Sequence, residues 1–115
     1  MKISRGDIIF VDLDPAKGSE QKGFRPCVVV QNDIANKYSP TTIIVPLTSQ
    51  ISDKKYPTEV IIETNQSKLP KKSVALCNQI RTISIMQREI KKVSSLPLKV
   101  MNEIDEALKV SLSIK

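Results

Sequence analysis

Gly18-Ser19-Glu20-Gln21-Lys22-Gly23-Phe24-Arg25-Pro26-Cys27-Val28-Val29-Val30 is a polar loop that runs directly into an apolar run. The unbroken apolar stretch reads as a strand over residues 26–31, buried on both faces. Two glycines five residues apart let the backbone turn before it. The loop spans residues 15–24, longer than the usual hairpin connection, and long ordered loops in compact domains are often functional. One acid and one arginine stand where the loop meets the strand, an arrangement suited to handling an anion.

Working outward, Asp7-Ile8-Ile9-Phe10-Val11-Asp12 reads as the preceding strand, closed by Asp14-Pro15. Downstream, strands are expected at residues 41–48, 58–63 and 73–79, with a short sixth at 89–93. Pro46 has no N–H for a ladder, so an edge or a bulge is expected there. Residues 32–40 read as a turn containing one helical turn at Ile34-Ala35-Asn36, and residues 49–56 as a polar loop. The tail then changes period: Leu98, Met101, Ile104, Leu108 and Leu112 recur every three to four residues. Pro97 suits a first helical turn, so the chain is expected to end in an amphipathic helix. Short strands followed by one helix predict a mainly β molecule, a small β-barrel capped by a C-terminal α-helix.

At 115 residues the chain is expected to form one domain. Only four residues are aromatic, so Val, Ile and Leu must supply the core. Eighteen basic against twelve acidic residues give a net charge of +6. That excess favours a polyanion such as nucleic acid, or else a solvated lysine-rich surface. The N-terminal residues carry no apolar core for a signal peptide, and no run approaches a membrane span, so a cytoplasmic protein without membrane contact is expected. Cys27 and Cys77 lie in apolar strand-like segments with no CxxC neighbour, so no metal is expected and both read as small buried thiols. A disulfide between them is the alternative.

The chain contains no histidine, which excludes Ser-His-Asp and Cys-His catalysis. Proton transfer then falls to carboxylates, Lys, Arg, Tyr or hydroxyls. Arg25 begins one expected strand and Thr48 ends another; if the two are neighbours, both side chains meet at one rim. An arginine fork matches phosphate oxygens, Thr48 adds a hydroxyl donor, and Glu20 or Asp12 can lend a base. Such a set is sufficient for RNA self-cleavage, because the RNA supplies its own 2′-hydroxyl nucleophile. The competing reading has Arg25 paired with Glu20 to close the loop and Thr48 as an ordinary strand end. Gln79 and Arg81 add an amide and a second guanidinium suited to base edges and phosphates, or plain surface polarity. The Lys54-Lys55 and Lys71-Lys72 pairs read as solvated loop charge or as a backbone-steering patch.

Arg5-Gly6-Asp7, Gly18-Ser19-Glu20-Gln21-x-Gly23-x-Arg25-Pro26, Gln31-Asn32-Asp33, Pro46-Leu47-Thr48 and Gln79-Ile80-Arg81-Thr82, in that order, resemble the MazF/PemK (Kid-like) toxins. These are endoribonuclease halves of bacterial type II toxin–antitoxin pairs. The resemblance covers essentially the whole chain. It implies an SH3-like barrel, a homodimer, and metal-independent cleavage of single-stranded RNA to 2′,3′-cyclic phosphate and 5′-hydroxyl ends. It also implies no cofactor and an acidic, MazE-like antitoxin partner. The family's catalytic arginine and threonine fall on Arg25 and Thr48, and its loop acid on Glu20. Ser19, Gln21, Asn32, Asn78, Gln79 and Arg81 fall at positions near bound RNA. Asn78 stands where relatives often carry an acid, and Lys17 where an apolar residue is common, so no recognition sequence transfers. Two other readings are a CcdB-like toxin that poisons a protein such as gyrase, and a non-catalytic RNA-binding barrel.

Overall fold

The computed structural model describes residues 2–86 and 90–115. Seven antiparallel strands form one sheet, in the order β4-β5-β3-β2-β1-β7 with β6 also on β3. They are β1 (Asp7–Asp12), β2 (Phe24–Val29), β3 (Thr41–Thr48), β4 (Glu59–Ile62), β5 (Ser73–Leu76), β6 (Arg81–Ser84) and β7 (Ile90–Ser95). Helices α1 (Asp33–Tyr38), α2 (Thr64–Ser67) and α3 (Leu98–Leu112) fall between and after them. The fold is mainly β with a C-terminal helix, as expected, and barrel-like but open: β4 and β7 end the sheet unpaired with each other. The Ser94 hydroxyl on β7 donates to the Ser67 carbonyl at the end of α2, bridging that seam.

Side chains alternate across the strands, so the apolar residues divide between two clusters. Ile8, Val28, Val45 and Leu47 pack with Val100, Met101, Ile104 and Ala107 of α3. Ile9, Val11, Cys27, Val29, Ile44 and Ile83 make the second cluster on the opposite face. Cys27, Val28 and Val29 are all fully buried, the double-sided burial that the unbroken apolar run predicts. Both cysteines are buried free thiols.

Several boundaries differ from expectation. Pro46 is interior: it pairs with Cys27 on β2. The other edge of β3 takes β6 at residues 41–44 and β5 at 47–48, so Pro46 falls where the partner changes and its missing N–H breaks no ladder. The fifth strand stops at Leu76, and Arg81–Ser84, read as polar sequence after it, is a strand of its own. Glu89 of the expected sixth strand lies outside the described residues, and β7 continues to Ser95. On α3, Leu98 and Leu112 are exposed; Val100, Met101, Ile104 and Ala107 face the sheet. At about 100° per residue, Leu98 lies roughly 120° around the helix from Ile104 and cannot share its face. No described helix is long and apolar enough to cross a membrane.

Candidate active site

The loop between β1 and β2 leaves the sheet at Leu13, which is buried, and returns at Gly23. Gly18 and Gly23 both have positive φ, at +57° and +79°, conformations that other L-residues rarely adopt. The Leu13 N–H donates to the Gly23 carbonyl at 2.9 Å and closes the loop's neck. At its tip the Lys17 N–H donates to Glu20 Oε1 at 2.8 Å, and the Glu20 N–H returns to the Lys17 carbonyl at 3.1 Å. Glu20 is therefore held by its own turn. No ion pair joins it to Arg25 among the described residues, and the loop-closing pair considered above is not formed.

Beneath this loop is a cavity of about 670 Å³. Its polar wall is Lys17, Ser19, Glu20 and Gln21 on one side and Asn78, Gln79 and Arg81 on the other. Leu13, Ile44, Pro46 and Ile80 complete the lining. Gln21 Oε1 is buried there without a hydrogen-bond partner among the described residues.

Arg25 and Thr48 stand beside this cavity. The β2–β3 ladder ends at Cys27–Pro46. Two residues further along the same register, Arg25 and Thr48 are opposite each other at the ends of adjacent strands. Alternation puts Arg25 on the face of Cys27 and Val11, and Thr48 on the face of Pro46 and Ile44. Burial pushes the Cys27 thiol up to about 12, while the charges of Arg81 and then Arg25 pull the other way, so both guanidinium groups act on one buried sulfur. Arg25 Nε donates to the Lys22 carbonyl at 3.0 Å, and among the described residues its terminal nitrogens hold no hydrogen-bond partner, so they can meet an anion. Arg25 also lines a smaller groove of about 190 Å³ with Ser49 and Lys71, over Phe10, Leu47 and Leu69. It thus stands between two hollows. Thr48 is 9% exposed; its Oγ1 accepts from the Gln50 N–H at 3.1 Å and retains its own proton to donate.

Eight of the nine residues that the resemblance assigns to catalysis or bound RNA therefore gather at one end of the sheet. Asn32 does not. It caps α1, its Oδ1 accepting from the Ala35 N–H at 2.8 Å. It lies seven residues from Arg25 at the far end of β2, about 20 Å away along extended chain. Asp12 is bonded to the Asp14 N–H at 3.0 Å and lines none of these hollows. Lys71 lies on the rim of the smaller groove with Arg25, a neighbourhood that only the fold reveals.

Residues 4–112 match the family model described as PemK-like, MazF-like toxin of type II toxin-antitoxin system. The chain is 46% identical over 114 residues to Endoribonuclease EndoA of Bacillus subtilis, covering 99% of this chain and 97% of that protein. The fold is similar to the crystal structure of MazF from Deinococcus radiodurans, with a TM-score of 0.85 and 24% identity over 99% of both chains. It is also similar to a mycobacterial endoribonuclease solved in complex with its cognate antitoxin, with a TM-score of 0.79 and 21% identity over 98% and 97% of the two chains.

Proposed function

The chain belongs to the PemK/MazF family of toxins from type II toxin–antitoxin systems and is an endoribonuclease toxin, and we propose that it cuts single-stranded RNA at a short sequence without a metal ion. The observation that supports this chemistry is the β2–β3 register, which, continued two residues past Cys27–Pro46, sets Arg25 opposite Thr48 next to Pro46, a residue that lines the same polar cavity as Glu20.

In the reaction, the RNA 2′-hydroxyl attacks the neighbouring phosphorus and the P–O5′ bond breaks. Glu20 takes the 2′-hydroxyl proton, and its carboxyl then returns that proton, directly or through solvent, to the departing 5′-oxygen. The products are a 2′,3′-cyclic phosphate and a 5′-hydroxyl, and no water is consumed. Arg25 holds the scissile phosphate and stabilises the charge of the pentacovalent transition state. The Thr48 hydroxyl donates to a non-bridging oxygen. Arginine is a poor base because its pKa lies far above neutrality, which favours Glu20 for proton removal. Ser19, Gln21 and Asn78 line the cavity with groups able to meet base edges, and the unpartnered Gln21 Oε1 suits a base N–H donor. We propose further that the toxin works in the cytoplasm as a homodimer of single-domain protomers, and that a MazE-like acidic antitoxin neutralises it, consistent with the +6 charge.

The test is incubation with a long unstructured RNA in EDTA, followed by mapping of fragment ends, beside an Arg25→Ala control. Discrete cuts with cyclic-phosphate ends, reduced at least about 100-fold in the variant, are expected. Intact RNA from folded protein would instead favour a protein-poisoning or inert barrel.

A further inference from the structure

We infer that Gln79 and Arg81 are positioning residues: they fix the catalytic loop against the sheet by holding its backbone, and act on the reaction through it rather than by touching RNA. The inference rests on the ribonuclease reading for its catalytic consequence and on hydrogen bonds alone for its structural part.

The loop has little burial to hold it. Asp14, Pro15 and every residue from Lys17 to Glu20 are exposed. Its internal bonds give it a shape but do not orient it on the protein. That orientation comes from residues 58 to 68 positions later in the chain. Gln79 Oε1 accepts from the Gln21 N–H at 2.9 Å, and its Nε2 lies 3.4 Å from the Ser19 carbonyl. Arg81 Nη1 donates to the Leu13 carbonyl at 2.6 Å, with Nη2 reaching 3.5 Å from that of Pro15. The amide thus grips the backbone on both sides of Glu20, and the guanidinium grips the loop's neck.

Both holders are set by elements that pair with the central strand β3: Arg81 lies on β6, and Gln79 in the turn between β5 and β6. Arg81 pairs with Ile44 of β3, and the Gln79 N–H is fixed to the Leu76 carbonyl at 3.0 Å in the turn leading there. The same β3 carries Thr48 at its end. One strand therefore indexes both the loop that carries Glu20 and the Thr48 hydroxyl. Misplacing a catalytic group by about 1 Å can cost roughly 100-fold in rate.

The test compares Arg81→Lys, Arg81→Gln and Gln79→Met with the parent. Lysine keeps the charge but has no planar fork to span two carbonyls. Three quantities are read: the single-turnover cleavage rate, affinity against salt for an RNA carrying a 2′-deoxy block at the cut site, and amide exchange over residues 17–21. Expected are a rate about 10- to 100-fold lower in all three variants, no rescue by lysine, unchanged affinity and salt slope, and faster exchange at Ser19–Gln21. The proposal is overturned if lysine restores the rate, or if loop exchange is unchanged while glutamine makes the salt slope shallower by about 0.7, as loss of one phosphate contact would. Should an Arg81 variant fail to fold, Gln79→Met carries the same comparison. If the parent cuts no RNA, the ribonuclease reading fails, and exchange still decides whether these two residues hold the loop.

Discussion

Thr48 is nearly closed to solvent, and the Gln50 N–H already engages its oxygen. What it has left for chemistry is one proton. Thr48→Val keeps the shape and removes that proton, so kcat is expected to fall about 100- to 1,000-fold, the range for losing one oxyanion donor. The fold should survive, which thermal melting checks. Glu20→Gln probes the other role: cleavage at the parent rate would exclude the carboxylate as base. Cys27 and Cys77 matter to stability instead. Burial holds both thiols up to about 12, from an ordinary value of 9.0. Between those values the unfolded chain loses thiol protons that the folded chain keeps. Their contribution is therefore fully present below pH 9 and is lost as pH rises from 9 toward 12, by about 1.4 kcal/mol per pH unit for each thiol. Urea unfolding across that range should show a steeper decline in the parent than in a Cys27→Ala, Cys77→Ala variant.

At the scale of elements, α3 shows what periodicity gives and where it misleads. Met101 and Ile104 do face the sheet, but Leu98 and Leu112 extend the apparent stripe to positions that the helix turns outward. Ile104→Ala should cost about 2–5 kcal/mol by leaving a cavity among Val28, Val45 and Val100. Leu98→Ala should change stability by less than about 0.5 kcal/mol in the same urea titration. The longer strands were legible because Ile8, Ile9, Val11 and Cys27 to Val29 announce burial directly. β6 was hidden because only Ile83 of its four residues is buried. α2 was hidden because Thr64-Asn65-Gln66-Ser67 has no apolar period. A capping box between Glu63 and Gln66 starts it, and Lys68 at positive φ ends it.

For the molecule as a whole, the candidate site was legible as a set of residue types and not as a set of contacts. Arg25, Thr48 and Glu20 could be named from the chemistry a histidine-free chain has left. That Arg81 reaches Leu13, or that Gln79 brackets Glu20, depends on pairings across most of the sequence that no local pattern encodes. Asn32 is the converse case, since neighbours in a motif separate once a strand extends between them. The net charge of +6 belongs to this largest scale, because it acts on any polyanion before a single contact forms. Affinity for an uncleavable, 2′-deoxy-blocked RNA should therefore fall linearly on a log–log plot against salt, with a slope near −0.7 for each phosphate neutralised. Lys71→Gln should make that slope shallower by about 0.7 while the single-turnover rate at saturating RNA stays within about two-fold, because Lys71 stands on the groove beside Arg25 and takes no part in proton transfer. A slope unchanged by Lys71→Gln would place the strand elsewhere, away from the smaller groove. A flat salt response in the parent would remove RNA as the polyanion this surface attracts.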